Sequence, residues 1–152
     1  MADDATMTIK AVLLPDEIQA TLKDLSFSYT PANSSEKWFY GIVNVPHNTG
    51  DVDLITGKFL ANADKATADK VKFIFIKNAD ATDSLYLVLD GNTAAYSVTD
   101  AIEIGPGESW FAKLPNTTVA DIHAINGGPN GADAGDANIQ CTVAAIIDDV
   151  SV

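Results

Sequence analysis

Along most of this chain apolar and polar residues alternate in short runs rich in β-branched and aromatic side chains, and clusters of Gly, Pro, Asn and Asp break the runs apart. Alternation at every second position puts one face of an extended segment on a core and the other toward water, so each run is read as a β-strand. The pattern predicts strands in MTIKAVLL (7–14), in the stretch from Leu25 through Phe27 and Tyr29, in EKWFYGIVNV (36–45) and in DVDLITGKF (51–59). It continues with VKFIFIKN (71–78), SLYLVLDG (84–91), AAYSVTDAIEIG (94–105), ESWFAKL (108–114), TVADIHAI (118–125) and NIQCTVAAII (138–147). Pro15 with Asp16 and Glu17, followed by Ile18 and Leu22, suits a turn or one-turn helix ahead of Leu25.

VKFIFIKN divides into Val71, Phe73, Phe75 and Lys77 on one side and Lys72, Ile74, Ile76 and Asn78 on the other, so both faces are partly apolar, as in a central strand. NADATD (78–83) reads as a hairpin loop to the next run. GPGE (105–108) places Pro106 and Gly107 at the centre of a type II turn, where Pro presets the first φ and Gly supplies the positive second one. About nine or ten short strands with no helical period and no βαβ alternation describe an all-β domain, an antiparallel β-sandwich for which a jelly-roll winding is one arrangement. The whole chain, 1–152, reads as a single such domain, with residues 1–20 a partly extended N-terminal arm.

Composition narrows the function classes. With 152 residues, 47% of them hydrophobic, the chain is long enough to bury a core, and its longest apolar runs fall short of the roughly 18–20 residues a membrane-spanning helix needs. No membrane partner is expected. The net charge is −12, and all nine basic residues are lysine. Nucleic-acid recognition leans on basic patches and arginine forks, so direct nucleic-acid binding is not expected either. MADDATMTIK lacks the basic and apolar regions of a secretory signal, which points to synthesis in the cytoplasm. Cys141 is the one cysteine and reads as a small buried residue of a strand.

No stretch announces catalysis. Gly105-Pro106-Gly107 lies between two strands and not before a helix, GESW is not a nucleophile elbow, and His47 and His123 have no triad context. INGGPNGADAGDANIQ (125–140) gathers Gly, Asn and Asp, but lacks the acid that closes a calcium loop and the stacked repeats of a calcium β-roll. It reads as a long connection between strands. No metal and no cofactor is expected. The candidates that remain are for a protein interface: Trp38, Tyr40 and Trp110 as outward aromatics, and Asn130 and Asp133 on the long loop.

Residues 71–115 also carry a pattern that resembles small virion structural proteins of tailed bacteriophages, especially those of cyanophages and other marine phages. The pattern is KFIFIKN (72–78), a hairpin to LYLVLDG (85–91), an I-x-I-x-PGE turn over Ile102–Glu108, and an aromatic strand from Trp110 to Pro115. A weaker likeness runs through SYTPANSSEKWFYGIVNV (28–45). The resemblance implies a non-enzymatic protein of the virion, a decoration or cement protein on the capsid surface. It would contact the major capsid protein or other virion proteins and form a homo-oligomer in the particle. The other readings are a tail, neck or baseplate component, or a module that binds a host-surface glycan or receptor.

Overall fold

The structure is a computed structural model and describes residues 5–9, 25–29, 37–47, 52–55, 70–89, 101–126 and 137–148. The chain divides into two compact units, Met1–Ser34 and Ser35–Val152. In the first unit, β1 (Ala5–Ile9) pairs antiparallel with β2 (Leu25–Tyr29), Met7 opposite Phe27. The first predicted strand therefore starts at Ala5 and not at Met7. The rest of the predicted arm, and the one-turn helix after Pro15, lie outside the described residues.

The second unit is all-β. Its described strands are β3 (Lys37–Val45), β4 (Val52–Asp53), β5 (Lys70–Asn78), β6 (Leu85–Val88), β7 (Ile102–Ile104), β8 (Ser109–Thr118), β9 (His123–Asn126) and β10 (Ile139–Asp148). They form two four-stranded antiparallel sheets, ordered β3-β10-β5-β8 and β4-β9-β6-β7. The pairing is nested. The outermost strands in sequence pair with each other, β3 with β10, then β4 with β9, β5 with β8 and β6 with β7, and successive pairs fall in alternate sheets. Contacts of β10 with β5 and of β9 with β6 complete each sheet.

The two sheets share one core, which is why this is a sandwich. One sheet contributes Phe39, Val45, Val71, Ile74, Ile76, Leu114, Cys141 and Val143, and the other Leu85, Leu87, Ile104 and Ala124. Leu54 and Ile55, just beyond β4, join them. A strand with one face on this core and the other turned away follows from the period of two read in the sequence. As predicted, β5 is interior to its sheet, flanked by β10 and β8.

Four sequence expectations change. NADATD is not a hairpin loop, because β5 and β6 do not pair; the segment carries the chain from one sheet to the other. The aspartates make that crossing possible: Asp80 Oδ1 accepts the backbone N–H groups of Thr82 (2.7 Å) and Asp83 (2.8 Å), satisfying donors that no strand partner reaches. The strand predicted to stop at Leu114 runs on to Thr118, past Pro115. Pro115 is tolerated because β8 is the outer strand of the order and is bulged here: Val71 pairs Thr117 while Phe73 pairs Lys113. TVADIHAI is not one strand. Val119–Asp121 forms a single 3-10 turn, with the Thr118 N–H donating to Asp121 Oδ2 at 3.3 Å, before β9 begins. DVDLITGKF is strand only at Val52–Asp53 among the described residues, with a bend at Leu54 and Ile55.

The predicted turn at GPGE is present. The Glu108 N–H donates to the Gly105 carbonyl at 3.0 Å, and Gly107 has φ of 72°, the left-handed value that the second central position of a type II turn demands. Glu108 Oε2 also accepts the Gly105 N–H at 2.9 Å, so the turn is closed from both ends.

Candidate binding face

The sheet β3-β10-β5-β8 has an inner face on the core and an outer face that carries the more unusual chemistry. Along β3, Phe39 and Val45 are buried in the core, so the alternate positions Tyr40, Ile42 and Asn44 face away from it. Tyr40 is 48% exposed and Ile42 70% exposed. Register carries this face across the sheet. Tyr40 pairs with Ala144, Ala144 with Phe75, and Phe75 with Phe111, making one row through all four strands. A second row runs Ile42, Thr142, Lys77, Ser109, and a third Trp38, Ile146, Phe73, Lys113. Lys77 and Lys113 are exposed; Phe75, Phe111 and Ala144 are half-buried, and Phe73 and Ile146 of the third row are buried.

The predicted interface residues separate on this frame. Tyr40 lies on the outer face, on the edge strand β3. Trp38 lies on β3 at the register of Ile146. Trp110 is half-buried against the core, opposite Ile76, and its neighbour Phe111 takes the outer position. Asn130 and Asp133 lie outside the described residues. What is described of their loop is its base, where Asn126 Nδ2 donates to the Ala137 carbonyl at 2.6 Å. Because β9 and β10 belong to different sheets, the loop is a crossover and not a hairpin connection.

Sequence reasoning missed Ile42, Phe75, Phe111, Lys77 and Lys113 as members of one face. Two signals were there to find them: the step of two from Tyr40 to Ile42, and the distribution of charge among strands. The four strands of this sheet hold Lys37, Lys70, Lys72, Lys77 and Lys113, five of the nine lysines, and Asp148 alone of the 21 acidic residues. Of these lysines, Lys77 and Lys113 are exposed, both on the outer face, and Lys70 pairs with Asp148.

The polar groups at the end of the sandwich are structural. Asn78 is fully buried; its Nδ2 donates to the carbonyls of Asp83 (2.8 Å) and Ile104 (3.0 Å), and its Oδ1 accepts the Asp80 N–H at 2.9 Å. One side chain thus ties β5 to β7 of the other sheet and to the crossing between sheets. The N–H groups of Asp83 and Thr82 hold the Asp80 carboxylate below its ordinary pKa. Burial pushes the Cys141 thiol up to about 12, with the negative charge of Asp80 adding to it, so this sulfur is no nucleophile. Burial, and secondarily Glu103, raises the Tyr86 phenol. Among the described residues no group of three or more His, Cys, Asp or Glu side chains converges to hold a metal ion. Comparison with protein-family models, curated proteins and solved structures finds no match.

Proposed function

We propose that this chain is a non-enzymatic structural protein of a bacteriophage virion, a decoration or cement protein that binds across capsid subunits and stabilises the head. The single observation that carries the reading is the winding of the second unit. Nested pairs that alternate between two four-stranded sheets support a jelly-roll reading, in which one long antiparallel hairpin is rolled up. That architecture serves viral shells, and also lectins and cupins, so fold alone leaves the role open. The sequence pattern of residues 71–115 supports the viral choice among them, since it resembles small phage virion proteins.

The role is physically coherent with the chain. A sandwich whose two sheets share one apolar core resists opening, and a protein that binds only the assembled shell stabilises that shell by mass action. Copy counting by mass spectrometry of purified particles tests the reading. Hundreds of copies per particle are expected of a decoration protein; a handful would move the protein to the tail, neck or baseplate, and absence would remove it from the virion. Purified protein added back to stripped heads should raise their disassembly temperature, and no shift would rule out the cement mechanism.

A further inference from the structure

Asn126 closes β9 on the core side of its sheet, at the end of the row Ile104, Leu85, Asn126 that crosses β7, β6 and β9. It is 2% exposed, and its Nδ2 donates to the Ala137 carbonyl at 2.6 Å, across the base of the loop that leads to β10. Turning the amide over would set its oxygen against that carbonyl, so Nδ2 is the donor. Oδ1 is left buried with no hydrogen-bond donor among the described residues, which costs free energy. The next residue in the chain is Gly127. Asparagine followed by glycine is the pair most prone to lose its side-chain amide, because glycine has no Cβ to hinder the approach of its own nitrogen to the asparagine Cγ.

We propose that Asn126 is a modification site held latent by the fold: it converts to aspartate and isoaspartate only when this end of the sandwich opens, and the product cannot close in the same way. The Gly127 nitrogen, having given its proton to solvent base, forms a bond to Cγ, and the carbonyl electron pair moves onto Oδ1. When that pair returns, the Cγ–Nδ2 bond breaks and ammonia leaves with a proton taken from water. Water then opens the succinimide ring at either carbonyl, so the net change is amide plus water to acid plus ammonia. The folded chain opposes each stage. β9 is extended at Asn126, in register with Leu85, whereas ring closure folds the next nitrogen back onto Cγ. Burial excludes the water that carries the protons. The charge that develops on Oδ1 meets no donor, the reverse of an oxyanion hole. After conversion, a carboxylate oxygen stands where Nδ2 donated to the Ala137 carbonyl, and isoaspartate also lengthens the main chain by one carbon beside the pair with Leu85. The proposal does not depend on any role in a virion.

The test incubates the full chain at mildly alkaline pH in native buffer and in urea, with peptide mapping by mass spectrometry following Asn126 separately from Asn130, which also precedes a glycine. Conversion of Asn126 should be about tenfold or more slower in the native chain, the ratio being set by how rarely this end opens. Asn78→Ala loses the hydrogen bond to the Ile104 carbonyl in the same row, so its native rate should rise toward the rate in urea. In urea, Gly127→Val should slow conversion, as the succinimide route requires. Asn126→Asp, one of the two products, should melt below wild type; if it does not fold, the melting temperature of aged wild-type protein takes its place. Four results would each overturn the proposal: equal rates in native buffer and urea, a native rate in Asn78→Ala no higher than wild type, no slowing by Gly127→Val, or converted protein as stable as unconverted.

Discussion

Asn78 is the polar side chain on which the joint between the two sheets depends, and replacing it is the sharpest probe of the fold. Asn78→Ala removes three hydrogen bonds, to the Asp83 and Ile104 carbonyls and from the Asp80 N–H. Each is worth about 1 kcal/mol net, and the bond to the Ile104 carbonyl is a buried one. A loss of about 3 kcal/mol follows, a large share of the roughly 5–15 kcal/mol that holds a domain folded. For a chain of this size that corresponds to a fall in melting temperature of about 6–12 °C. Urea unfolding followed by tryptophan fluorescence and by circular dichroism would measure it, with the slope of free energy against urea unchanged. Asn78→Asp separates the donors from the acceptor. It keeps the group that receives the Asp80 N–H but points a carboxylate at two carbonyl oxygens, so at neutral pH it should be at least as damaging as the alanine. Burial raises the pKa of the introduced carboxyl, so this variant should regain stability relative to wild type as pH falls. Were Asn78→Ala to lie within about 0.5 kcal/mol of wild type, the bridge between sheets would not be what holds this end together.

Two further predictions concern titrating groups. The pKa of Asp80 is depressed in the folded chain, so its contribution to stability is fully present above the unfolded value near 4 and is lost as pH falls through the lower folded value. Asp80→Asn should therefore flatten the dependence of melting temperature on pH below about 4 and leave its slope near neutrality unchanged. For Cys141 the sign is opposite: its folded pKa is raised, so stability is full below the unfolded value near 8.5 and declines as pH rises toward about 12. Native protein should react with a thiol-specific disulfide reagent no faster than it opens, and fully in denaturant; rapid native labelling at pH 8 would contradict the burial.

Much of the fold was legible because period-two alternation is a direct consequence of a strand with one face on a core. β3, β5, β6 and β10 fall within a residue or three of their predicted bounds for that reason. Glycine and proline were equally plain at GPGE, where only one turn type satisfies both residues. What could not be read was pairing. Asp80, Thr82 and Asp83 look the same in sequence whether they cap a hairpin or carry the chain between sheets. The difference lies in which distant strand meets β5, and local pattern is silent on that. The 3-10 turn at Val119–Asp121 escaped because Val, Ile and Ala in TVADIHAI satisfy the alternation without its being used. Asn126 ends in the core as a clamp on the long loop because of its position at a sheet crossover, not because of its residue type.

The binding face shows how one local irregularity decides what a surface is. Strict alternation groups Val71 with Phe73, Phe75 and Lys77, which would either bury all of them or expose all of them. In the structure Val71 lies in the core with Ile74 and Ile76, and the phenylalanines do not belong to that cluster. The switch occurs at Lys72, where Ile146 pairs Phe73 while its neighbour Ile147 pairs Val71, so β5 holds one extra residue against β10. Without that bulge, one end of β5 or the other would be out of phase, and either Val71 would leave the core or Ile74 and Ile76 would turn outward in place of Phe75 and Lys77. A one-residue slip exchanges the two faces of a strand. The aromatic row from Tyr40 to Phe111, and the lysine beside it, therefore exist as an outer face because the core claims Val71 and Ile74 together.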